Sequence, residues 1–65
     1  MLNREDIEGK RVVLTSGTKS GYVEGIAYFV GDDEIHIQYG DQAFDYSKVQ
    51  TEDITNGSYN LTILD

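Results

Sequence analysis

Apolar residues in this chain recur at every second position, in short segments cut off by glycines or by polar and acidic turns. That spacing is the signature of half-buried strands, and no window carries the helical spacing over several turns, so the core must be built from sheet. The segments are 10–16 (KRVVLTS), 22–30 (YVEGIAYFV), 34–39 (EIHIQY), 42–49 (QAFDYSKV) and 58–64 (SYNLTIL). Val, Ile, Thr, Tyr and Phe dominate them, as a pleated, half-buried surface favours. Ile35, Ile37 and Tyr39 are expected to face the core, while Glu34, His36 and Gln38 face outward, which makes His36 a surface histidine. In the fourth segment Phe44 and Tyr46 share a face, and in the fifth Tyr59, Leu61 and Ile63 alternate inward. Two or three of the five tyrosines are expected in the core.

Punctuation supports this division. Asn3 is placed to cap a single helical turn with Leu2 packing on Ile7, and Gly9 would end it. The stretch GTKSG reads as a polar turn, Gly25 as a bulge or sharp bend, and Asn56-Gly57 as a primed hairpin turn. A long, bendable second strand lets five strands curl on themselves, whereas a flat sheet would leave exposed edges. The expected fold is therefore all-β: residues 1–65 as one small, mostly antiparallel five-stranded barrel with a short N-terminal helical turn.

At 65 residues the chain buries about 60% of its unfolded surface at most. With no Cys and one His it has neither a disulfide nor a conventional zinc set, so packing and hydrogen bonds hold the fold. The first residues lack the basic start and apolar run of a signal peptide, and no segment reaches transmembrane length, so a soluble cytoplasmic protein is expected, without a membrane partner. Asn56-Gly57-Ser58 and Asn60-Leu61-Thr62 match the glycosylation acceptor pattern, which is read as coincidence.

Charge is the clearest functional signal. The net charge is −7, and residues 31–53 hold seven acids against Lys48 alone. Such a field repels phosphate backbones and attracts basic proteins, so direct nucleic-acid binding is not expected. Asp32, Asp33 and Glu34 are consecutive and do not converge on a metal, and the loop lacks the alternating ligands of a calcium-binding hand. Asp41 and Asp45 could approach across a turn, but the serines have no base at a useful spacing, and a barrel this small has little room for a catalytic pocket. No catalytic, cofactor or metal residue is assigned.

The stretch from Gly21 to Ile54 resembles the Tudor-type pattern of SH3-like barrels, with Tyr39-Gly40-Asp41 at the characteristic turn. Preceded by IEGKRVVLTS, it equally resembles an Sm-like barrel. The Tudor resemblance implies an aromatic cage with an acidic residue for methylated Lys or Arg, for which Tyr39 matches best and Tyr22, Tyr28 and Tyr46 are further candidates; no Trp is present. The Sm-like resemblance implies a ring-forming structural subunit.

The function expected from these readings is a non-enzymatic protein-interaction module. Its acidic face, built from Asp32, Asp33, Glu34, Asp41, Asp45, Glu52 and Asp53, would dock a basic protein surface. One version is a phage or mobile-element inhibitor that covers a host protein's nucleic-acid-binding surface, with carboxylates standing where phosphates would. The alternatives are the Tudor-type reader and the Sm-like subunit, and the oligomeric state is left open.

Overall fold

The computed structural model describes residues 3–17 and 21–64. Helix α1 (Arg4–Ile7) is followed by strands β1 (Arg11–Ser16), β2 (Tyr22–Val30), β3 (Glu34–Gln38) and β4 (Tyr46–Gln50), helix α2 (Thr51–Thr55) and strand β5 (Tyr59–Ile63). All five strands join one antiparallel sheet in the order β4-β3-β2-β1-β5. The all-β class, the five strands and the N-terminal helical turn are those expected. Asn3 caps α1 by accepting from the Glu5 N–H at 3.1 Å, and Gly9, at φ +76°, turns the chain out of it. The proposed contact of Leu2 on Ile7 and the centre of the GTKSG turn lie outside the described residues.

β2 organises the sheet. Its first half pairs with β1, from Tyr22↔Thr15 to Ile26↔Arg11, and its second half pairs with β3, from Ile26↔Gln38 to Val30↔Glu34. The strand changes partner at Ile26, and the sheet curls there. Gly25 sits at this handover. A Cβ on it would collide with the Gln38 carbonyl oxygen, so the glycine serves a close backbone approach; of the bulge or sharp bend expected there, the bulge is absent, since the β1 register runs through Gly25 unbroken.

The concave side holds Ile7, Val12, Leu14, Ala27, Ile35, Ile37 and Val49, with Val23, Phe29, Ile54, Tyr59 and Leu61 packed around them. No ladder joins β4 to β5 among the described residues; α2 spans the gap between these end strands and turns Ile54 onto the core. α2 also replaces the expected hairpin. Asn56 is its C-cap, Gly57 has φ +90°, and β5 returns to pair with β1.

Three aromatic expectations are corrected. Tyr39 does not follow Ile35 and Ile37 inward but is 55% exposed, because β3 ends at Gln38 and the chain leaves β2 there. Phe44 is 75% exposed, since residues 39–45 form a loop and β4 starts only at Tyr46. Tyr59 is the one tyrosine packed against the core among the described residues, while Tyr22, Tyr28 and Tyr39 are exposed. His36 does point outward, yet its ring is stacked on Tyr46, centroids 4.5 Å apart at 12°, instead of projecting freely into solvent.

Changing Gly25 to Ala should therefore lower stability by about 1–3 kcal/mol, the usual cost of overpacking. Gly17→Ala, where a Cβ meets nothing within 4 Å, should leave stability unchanged or raise it by up to about 1 kcal/mol. Urea denaturation of both variants checks the contrast.

Candidate functional site

The seven acidic residues fall into two groups. Asp32 and Asp33 lie in the β2–β3 turn and Glu34 opens β3. The Thr51 N–H donates to the Asp33 carbonyl at 2.8 Å, which sets the first turn of α2, with Glu52 and Asp53, beside that turn. Asp41 and Asp45 belong to the loop at the far end of β3, about 17 Å away along the strand. The structure thus brings five of the seven together and separates the other two.

The five-acid end is partly engaged. Arg4 approaches Asp32 at 3.7 Å and Glu8 at 3.9 Å while its guanidinium lies 5.4 Å from the Phe29 ring centroid. Exposed pairs of this kind contribute little to stability but neutralise charge locally. Glu34 contacts His36 Nε2 at 2.5 Å and accepts from Gln50 Nε2 at 3.3 Å. The His36 hydrogen bond outweighs partial desolvation and holds the Glu34 carboxyl below its ordinary value. Tyr28 and Lys48 flank His36 as its cross-strand neighbours.

At the other end, residues 39–45 are tied down by their own polar groups. The Tyr39 N–H donates to the Asp45 carbonyl and the Asp45 N–H to the Gln42 carbonyl, both at 3.0 Å. Gln38 Nε2 donates to the carbonyls of Gly40 at 2.9 Å and Gln42 at 2.5 Å. The Asp45 carboxylate accepts from the Gln42 N–H at 3.3 Å and packs over Gly40, where a Cβ would collide with it. Asp45 is a positioning residue for this loop. Asp41 and Phe44 are left exposed on it.

Beside this loop lies an open notch of about 360 Å³ lined by Tyr22, Val23, Glu24, Tyr39 and Ser47. It exists because the chain parts from β2 after Gln38, so the first half of β2 has no partner on its β3 side. Two expected aromatic contacts, Tyr22 and Tyr39, meet here. Tyr46 does not join them: it stacks on His36 on the outer face of the sheet. Glu24 was not among the expected site residues. Its position two residues after Tyr22 on the same strand face was the available signal.

Among the described residues no three or more His, Cys, Asp or Glu side chains are grouped to hold a metal ion, and no helix is long and apolar enough to cross a membrane. No family model matches the chain, and no curated protein or solved structure matches it significantly.

The Glu34–His36 contact has a pH consequence. Because the Glu34 pKa is depressed in the folded state, its stabilisation is present above the ordinary carboxylate value of 4.5 and is lost as pH falls through the folded-state pKa. NMR titration should show Glu34 deprotonating below that value, and His36→Ala should move it back upward. An unchanged Glu34 titration in the variant would show that His36 is not the cause.

Proposed function

We propose that this protein is a non-enzymatic interaction module that binds a basic polypeptide, seating one cationic side chain in the notch between Tyr22 and Tyr39. The observation that carries the reading is the convergence of two exposed tyrosines and the Glu24 carboxylate on one open depression. Aromatic faces attract cations, a carboxylate adds charge, and Tyr supplies broad contact area with few rotamers to freeze. Asp41 and Phe44, exposed on the adjoining loop, extend the same surface. The net charge of −7 favours encounter with basic partners over phosphate backbones.

The acidic-face expectation is narrowed by this reading. Asp41 serves contact, Asp45 serves the shape of the loop, and Asp32, Asp33, Glu34, Glu52 and Asp53 act at longer range by steering. A nucleic-acid-binding protein as partner would extend the reading to competition with phosphates. The SH3-like, Tudor-type resemblance gives a second reading from the same notch, in which the cation is a methylated Lys or Arg. Sequence resemblance is its further support.

Titration of the isotopically labelled protein with a short Lys- and Arg-rich peptide, unmodified or methylated, tests both. Shifts should concentrate at Tyr22, Glu24 and Tyr39. Tyr22→Ala and Tyr39→Ala should each weaken binding by about 2- to 30-fold, matching about 0.5–2 kcal/mol per cation–aromatic contact. Tighter binding of the methylated peptide would select the Tudor-type reading. Shifts confined to the Asp32–Glu34 end, with both Tyr variants binding normally, would reject the notch.

A further inference from the structure

We propose that the free edge of β5 is the docking surface for a second copy of this chain, forming a two-fold dimer through antiparallel β5–β5 pairing. β5 ends the sheet, with β1 on one side and, on the other, no strand among the described residues, only α2 leading from β4. The direction of its backbone groups follows from the β1–β5 register. The Leu64 N–H donates to the Arg11 carbonyl at 2.8 Å and the Gly17 N–H to the Ser58 carbonyl at 3.4 Å. Hydrogen-bonded pairs alternate in an antiparallel ladder, so Ser58, Asn60, Thr62 and Leu64 direct their backbone groups at β1. Tyr59, Leu61 and Ile63 therefore direct theirs at the open side.

This edge lacks the usual protection. Natural edge strands carry charges, prolines or bulges that discourage pairing with another chain. From Ile54 to Leu64 there is no charged residue, the chain has no Pro, and the β1–β5 register runs unbroken from Tyr59 to Ile63. Two chains of charge −7 repel, and this uncharged stretch is where they can approach with least cost. Ile63 and Leu64, 39% and 47% exposed, add apolar surface beside it.

The occupant is a second copy because the strand complements itself. With Leu61 of one copy opposite Leu61 of the other, Tyr59 faces Ile63 and Asn60 faces Thr62. Inward residues then meet inward residues, and outward meet outward, as an isologous contact requires. The outward-directed groups of Tyr59, Leu61 and Ile63 would exchange about six hydrogen bonds. The same treatment of β4 would set Lys48 against Lys48 at its centre, which is repulsive.

Sedimentation equilibrium across a concentration series, with residue-resolved hydrogen exchange, tests this. A monomer–dimer equilibrium is expected, in which the Tyr59, Leu61 and Ile63 amides gain protection as concentration rises while those of Asn60, Thr62 and Leu64 are protected throughout. Asn60→Asp with Thr62→Asp sets carboxylate against carboxylate and should weaken association by about tenfold or more. Asn60→Lys with Thr62→Asp sets opposite charges together and should restore it, circular dichroism confirming the fold of both. A monomer at every concentration, an assembly larger than two, or a dimer whose Tyr59, Leu61 and Ile63 amides stay unprotected overturns the proposal. The exchange result on the unaltered chain decides the matter even if a variant fails to fold.

Discussion

The rest of this structure depends on the missing side chain of Gly25. Because nothing projects from that position, the Gln38 carbonyl lies against the β2 backbone, and β2 can leave β3 and run along β1. One strand thereby belongs to both halves of the sheet. The curl that results turns Val12 and Leu14 of β1 toward Ile35 and Ile37 of β3, with Ala27 between them small enough to let both sides close in. Seven buried apolar residues among the described ones are a small store of hydrophobic stabilisation, so the core's continuity across the handover matters more than any single contact.

The same handover opens the notch. Had β3 continued along β2, Tyr39 would lie opposite Gly25, and the depression would be filled by a ladder. Instead the Tyr39 backbone is satisfied by Asp45 across the loop, which frees the ring to stand beside Tyr22. Gln38 and Asp45 supply the polar partners that the interrupted ladder no longer provides, each hydrogen bond contributing about 0.5–1.5 kcal/mol. Glycine again makes room, Gly40 admitting the Asp45 side chain. The candidate site is thus a consequence of how the sheet bends.

What could be read from the sequence divides along physical lines. β2 was legible to the residue, as were the inward Ile35 and Ile37, because alternation against a buried core is strong local information. The Asn3 cap and Gly9 stop were legible because a capping side chain and a glycine free to take positive φ act within a few residues. Tyr39 and Phe44 were misread because alternation carries no mark of where a pairing partner ends. Asn56-Gly57 suits a hairpin and a helix C-terminus alike; Glu52 and Asp53, acids in the first turn of α2, were the signal favouring the helix. The meeting of Tyr22 with Tyr39 and the stack of His36 on Tyr46 had no local signature, since the first follows from where β3 parts from β2 and the second from the β3–β4 register.

The division of charge along the chain has a structural logic of its own. Acidic residues gather at the two ends of β3, where turns keep them solvated, and they are absent from the run through β5. Charge at the turns costs the fold little, because a carboxylate in water needs no partner, and it places the negative field around the surfaces proposed to meet a cation. Charge on β5 would have protected an edge. Its absence there, in a chain that carries 12 acidic residues elsewhere, leaves backbone pairing as the strongest interaction that stretch can offer. The two proposed surfaces therefore rest on opposite use of the same resource: carboxylates beside two aromatic rings at the notch, with more acids at the far end of β3, and a strand kept neutral at its edge.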